Sequence, residues 1–154
     1  MARTLDELPA LTGTELFRSG WVELGIEHER AFGEATFLRE DFLGRPPDNG
    51  DPYGERLISG FLLLSMLVAF HKRDLDLDLQ GAYGLNYGVD RVRFLRPVLA
   101  GESVRVRADL IEAREKEPGR LRVVTRNTLD VRDDDKPAMV ADWISLFVRE
   151  DDGV

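Results

Sequence analysis

The chain has 154 residues, 43% of them hydrophobic and 32% charged, with a net charge of −8 and no cysteine. That length fits one domain with a sizeable core, and an acidic surface that repels phosphate backbones argues against a nucleic-acid partner. The missing thiols exclude disulfides and thiolate chemistry.

At the N-terminus, MARTLDELPALTG contains no apolar stretch of signal-peptide length. DELPALTGTEL (Asp6–Leu16) predicts a short helix or turn capped near Gly13. GWVELGI (Gly20–Ile26) alternates weakly and predicts a strand. EHERAFGEAT (Glu27–Thr36) predicts a helix with Ala31, Phe32 and Ala35 on one stripe. The pattern then breaks. FLREDFLGRPPDNGDPYGER (Phe37–Arg56) holds Pro46-Pro47 and Asn49-Gly50, which no regular element survives. Such a long loop is either a functional segment or a solvated excursion.

The run from Leu57 to about His71 follows, entered through Ser59-Gly60 and from there to Phe70 interrupted only by Ser65. Its apolar part, Phe61–Phe70, is too short to cross a bilayer, which takes about 20 residues. The expected setting is therefore the cytoplasm. A helix this apolar must be covered nearly all round. KRDLDLDLQGAYG (Lys72–Gly84) reads as its charged, solvated exit.

From Tyr83 the period changes to two. NYGVDRVRFLRPV (Asn86–Val98) alternates. ESVRVRADLIEA (Glu102–Ala113) places Val104, Val106, Ala108 and Leu110 on one face. GRLRVVTRNTLDVRD (Gly119–Asp133) puts Leu121, Val123, Thr125, Asn127, Leu129 and Val131 in phase. PAMVADWISLFVRE (Pro137–Glu150) is apolar on both faces around Trp143–Phe147. The order predicts an α+β chain: strand, helix, loop, buried helix, then four long antiparallel strands joined by hairpins. A curled antiparallel sheet around a long central apolar helix is the hot-dog architecture, expected here as a single domain over residues 1–154.

Three stretches, GWVELGIEHERAFGEAT, PYGERLISGFLLLSML and NYGVDRVRFLRPVLAGESVRVRADL, together resemble the MaoC-like hydratases and dehydratases, especially the NodN-like branch. The resemblance runs from Leu5 to Phe147. It implies protomers paired edge to edge and enzymes that add water to 2-enoyl thioesters or remove it from 3-hydroxyacyl thioesters. The family pattern places an aspartate, and five residues later a histidine, on the loop after the first helix. An alanine-histidine-glycine entrance precedes the central helix, whose N-terminal N–H groups hold the thioester oxygen as charge develops. Carried over residue by residue, the aspartate falls on Leu38, the loop histidine on Leu43 and the entrance histidine on Ser59. No histidine stands between Phe37 and Phe70. His28 falls early in the first helix, in an exposed or capping place. His71 falls at the end of the central helix, where a cation complements the dipole. The thioester-binding half of the site is kept and the water-activating half is replaced.

The loop also holds Glu40, Asp41, Asp48, Asn49, Asp51 and Tyr53. Glu40 and Asp41 are the acid–base candidates nearest the replaced pair. Ser59 is a hydrogen-bond donor for a substrate oxygen, without a histidine nearby in sequence to make it a nucleophile. Ser59, Gly60 and Phe61, with Leu38, Leu43 and Tyr53, are the expected thioester-site residues. Arg39, Arg45 and Arg56 suit either a phosphate of CoA or a carrier arm, or structural ion pairs. Tyr87 reads as a packed strand residue. No metal site is expected, and no cofactor beyond the CoA or phosphopantetheine of the substrate. Three functions fit: an enzyme of rebuilt conjugate addition or elimination, with water or an amine; a non-catalytic subunit of a heteromeric hydratase or dehydratase; and an acyl-thioester binding module. The expected partners are an acyl thioester, an acyl carrier protein, and a second hot-dog subunit in a homodimer or heterodimer.

Overall fold

The computed structural model describes residues 2–37, 53 and 56–150. The chain starts with β1 (Arg3–Thr4) and a 3₁₀ helix over Leu5–Leu11, whose first turn is capped by the Glu7 carboxylate accepting the Thr4 N–H at 2.7 Å. Gly13 turns the chain at φ +88 into β2 (Glu15–Arg18). That turn needs a residue without a Cβ, so the predicted capping glycine is in place. The strand directly after it, which only overlaps the end of the Asp6–Leu16 segment at Glu15 and Leu16, is not anticipated by the sequence pattern.

The expected strand over Gly20–Ile26 shrinks to β3 (Val22–Glu23), and α1 (Ile26–Ala35) starts earlier than its predicted bound. The Gly25 N–H donates to His28 Nδ1 at 2.9 Å, so His28 caps this helix as expected. The stripe is not the expected one. Ala31 and Ala35 are exposed, and the buried positions are Glu29 and Gly33. A polar anchor and a residue without a side chain set the rotation of α1, not its alanines.

β4 (Leu57–Ile58) leads into the central helix, α2 (Gly60–Asp74). Ser59 is the N-cap: its Oγ accepts the Leu62 N–H at 3.2 Å. The helix therefore starts three residues after Leu57 and runs one turn past His71. Leu63, Leu67, Phe70 and His71 are its buried face. Burying each of the three apolar ones contributes about 2 kcal/mol.

Beyond α2 come β5 (Leu77–Asp78), β6 (Ala82–Phe94), β7 (Val98–Leu99), β8 (Ser103–Glu117), β9 (Arg120–Val131) and β10 (Met139–Arg149). The main sheet has the order β2-β8-β9-β10-β6, with β3 also on β8. β8, β9 and β10 are successive hairpins, as predicted. β6 is not: it lies at the far edge beside β10, and the chain crosses from there to β8 through β7. Alternation reveals which face a residue joins, but not which strand lies next to it. The inward phases are as read: Val104, Val106, Ala108 and Leu110 on β8 are fully buried, as are Asn127 and Leu129 on β9. Ala108, Asn127 and Ala141 stand opposite one another on three adjacent strands. The two alanines leave room for α2 over the middle of the sheet. On β9 and β10, Arg126 makes a two-pronged pair with Asp142, at 2.8 and 2.9 Å. No helix among the described residues is long and apolar enough to cross a membrane.

Candidate functional site

The N-terminus of α2 is held by a short ladder. Leu57 and Ile58 of β4 pair with Leu99 and Val98 of β7, and the Ala100 N–H donates to the Arg56 carbonyl at 2.8 Å. The first turn of α2 presents N–H groups without intrahelical partners. The Leu62 N–H goes to Ser59 Oγ and the Leu63 N–H to the Ser59 carbonyl. The Ser59 N–H donates to Glu29 Oε2 of α1 at 2.8 Å. The N–H groups of Gly60 and Phe61 have no partner among the described residues. Two free donors thus sit side by side at the positive end of the helix dipole, a suitable seat for a developing oxyanion.

Ser59 acts first as a cap rather than as a free hydroxyl. Gly60 permits close approach, but a protein ring already uses part of that room: a Cβ there would lie 2.7 Å from the Phe94 ring. Phe61 and Phe94 have ring centroids 6.2 Å apart and are both exposed, Phe61 by 69%. One turn further along α2 there is a groove of about 280 Å³ lined by Leu64, Leu67, Val68, Tyr87, Val89 and Trp143, among others. The apolar space therefore runs along the β6 side of the helix, while its inward face packs solidly on the sheet. At the rim, the Lys116 ammonium donates to the Tyr87 hydroxyl and holds the phenol below its usual range. Tyr87 is half exposed and lines the groove, in contrast to the packed role expected from sequence. A larger polar hollow near Asp6, Asp78 and Arg149 lies away from α2, and Arg149 there is paired with Asp6.

Under the helix is a buried polar cluster that sequence reasoning missed. His71 is 8% exposed, and its Nε2 lies 2.7 Å from Asn127 Oδ1. Asn127 Nδ2 donates to the Thr125 carbonyl at 3.0 Å and to Thr125 Oγ1 at 3.1 Å. The Phe17 and Trp143 rings meet His71 edge-on at 4.9 and 4.7 Å. Burial lowers the His71 pKa from 6.5 to about 4, against the opposing effect of the Asn127 hydrogen bond. His71 is therefore neutral at neutral pH. The expected cation at the helix end is corrected: the imidazole faces the core, and Lys72 and Arg73 supply the positive charge of the last turn.

Of the residues expected from sequence, Leu38, Arg39, Glu40, Asp41, Leu43, Arg45, Asp48, Asn49 and Asp51 lie outside the described residues. Ser59, Gly60 and Phe61 come together at the helix N-terminus. The Tyr53 carbonyl accepts the Arg56 N–H at 3.2 Å, and the Arg56 side chain is exposed without an ion pair to a described residue. Glu29 was missed. It is 7% exposed and reaches the first N–H of α2. Ile26, Glu29 and Gly33 have the spacing of one helical face, but a spacing with a carboxylate at its centre does not by itself tell that this face turns inwards. Among the described residues no cluster of histidine and carboxylate side chains is placed to hold a metal.

No family model matches the chain. Whole-chain comparison finds a nodulation protein N of Rhizobium leguminosarum bv. viciae, 32% identical over 147 residues, covering 94% of this chain and 91% of the relative. A 3-hydroxyacyl-thioester dehydratase Z of Mycobacterium tuberculosis is 28% identical over 148 residues, covering 94% and 96%. Among solved structures, a monoamine oxidase regulatory protein from Archaeoglobus superposes with a TM-score of 0.76 at 18% identity, over 97% and 98% of the two chains. A MaoC-like dehydratase from Rhodospirillum rubrum gives 0.67 at 14% identity, over 90% and 93%. The HadBC (3R)-hydroxyacyl-ACP dehydratase complex of Mycobacterium tuberculosis gives 0.60 at 24%, over 89% and 96%. Nearly a third of its residues shared with a nodulation protein N along almost the whole length, on an apolar helix packed against a curled antiparallel sheet, place this chain in the nodulation protein N family, with the hot-dog fold.

Proposed function

We propose that this protein catalyses addition to, or elimination from, acyl thioesters of CoA or an acyl carrier protein. The observation that carries the reading is the pair of N–H groups on Gly60 and Phe61 without a partner among the described residues, one helical turn before Leu64, where an apolar groove begins on the same helix. A thioester carbonyl seated on these donors gains charge when C2 is deprotonated or C3 is attacked, and the donors then bind it more tightly than in the ground state. The acyl tail follows Phe61 and Phe94 into the groove. Arg56 is exposed close before α2 in the chain and suits a phosphate of the carrier arm. No histidine stands between residues 37 and 70, and by the resemblance the two loop positions of the family pair fall on Leu38 and Leu43. A nucleophile that needs less activation than water, such as an amine, fits that loss.

Incubation of the protein with enoyl-CoA and enoyl-carrier thioesters, with and without small amines, read by mass spectrometry, tests the reading. Products shifted by the mass of water or of the amine support it. Absence of both across the panel refutes it.

Among the described strands β6 pairs only with β10, which favours a second reading. Tyr83, Leu85, Tyr87 and Val89 are exposed and alternate along β6. A hot-dog subunit pairing with β6 would cover them. Where that subunit carries the catalytic pair, this chain shapes the acyl pocket, and activity appears only on mixing the two.

A further inference from the structure

We propose that Glu29 is the proton-transferring group of this site; the inference rests on the thioester reading above. A carboxylate so well buried is rare unless paired or hydrogen-bonded. Glu29 reaches across from α1 and places Oε2 2.8 Å from the Ser59 N–H, one residue before the two free donors. It has no cationic partner among the described residues, and no described group bonds to its Oε1. Gly33, one turn further along α1, is likewise buried, which lets the helix carry this carboxylate close to the α2 N-terminus.

Both oxygens then have a part. In elimination, Glu29 takes the C2 proton and the C2–H electron pair moves into the thioester, leaving the negative charge on the carbonyl oxygen at the Gly60 and Phe61 N–H groups. The enolate pair returns to form the C2=C3 bond, and the C3–O bond breaks. The departing hydroxide receives the proton from the Glu29 carboxyl and leaves as water, which restores the carboxylate. Addition runs the same steps in reverse; an amine takes the place of water, attacks C3 as the neutral amine, and Glu29 then moves one proton from the resulting ammonium to C2. The charge passes from Glu29 to the thioester oxygen and back, so two anions never share the helix end. That handover answers the objection that a resident carboxylate would repel the enolate.

The test compares wild type, Glu29→Gln and Glu29→Asp with a thioester that the wild type turns over. Measured are kcat and KM across pH 4–9, CoA-thioester binding by calorimetry, and Tm. Glutamine keeps an acceptor for the Ser59 N–H but cannot carry the proton. Glu29→Gln is expected to lose kcat by about 10²-fold or more with KM and binding nearly unchanged. The acidic limb of the wild-type kcat profile is expected to vanish in Glu29→Gln and to move in Glu29→Asp. A Glu29→Gln protein within threefold of the wild-type kcat overturns the proposal. So does a wild-type profile with no acidic limb, which needs no folded variant. A wild type that neither binds nor converts any thioester overturns the thioester reading itself, and this proposal with it.

Discussion

Acidification is expected to remove the stability that a neutral His71 contributes. Burial among Phe17, Trp143 and the sheet lowers its pKa from 6.5 to about 4. The unfolded chain takes up a proton at this imidazole near pH 6.5, whereas the folded chain refuses it until about pH 4. Between those values the unfolded state binds more protons, so stability falls as pH falls. The contribution is intact above pH 6.5. The loss reaches about 2 kcal/mol at pH 5 and about 3 kcal/mol at pH 4. Urea unfolding of wild type and His71→Gln at pH 7, 6, 5 and 4 measures it. Carboxylates titrate in both proteins, so the difference between the two curves isolates the imidazole. Wild type is expected to lose about 3 kcal/mol relative to the variant over that interval. Curves that stay parallel within about 0.5 kcal/mol would show that the folded imidazole accepts its proton freely, and the burial argument would fail.

Asn127→Ala strips His71 Nε2 of its buried partner and is expected to cost about 2 kcal/mol in urea unfolding at pH 7. Leu67→Ala opens a cavity beneath a residue that is 2% exposed, with an expected loss of about 3 kcal/mol by the same measurement. Gly60→Ala meets the half-exposed Phe94 ring, which can swing outwards. Stability is therefore expected to change by no more than about 1 kcal/mol, while KM for a thioester rises as the ring leaves its place.

The sequence made the sheet faces legible because one side of each strand must be dry. Val104 to Leu110 alternate for that reason and their burial follows the pattern, whereas on β9 the out-of-phase Val124 and Thr128 are buried along with the inward set. The position of β6 was not legible, because periodicity contains no information about neighbours. β2 was lost because four residues between a turn and a loop give too short a period to detect. At the site, the Ser59 cap and the free donors after it follow from local rules for helix starts. Glu29 and His71 did not, because a glutamate on a helix and a histidine near a helix end usually face water. Only the partners across the fold, the Ser59 N–H for one and Asn127 for the other, show that they turn inwards.

The chain has two tryptophans, in contrasting surroundings. The guanidinium groups of Arg105 and Arg132 lie over the Trp21 ring, at 4.4 and 5.2 Å. Trp143 touches the His71 ring on one side and lines the groove on the other. With Trp21 changed to Phe, the remaining indole emission becomes an optical gauge of the groove. Near neutral pH it reports an acyl tail replacing solvent, and near pH 4 it reports quenching by the newly charged ring beside it, so the two events separate along the pH axis.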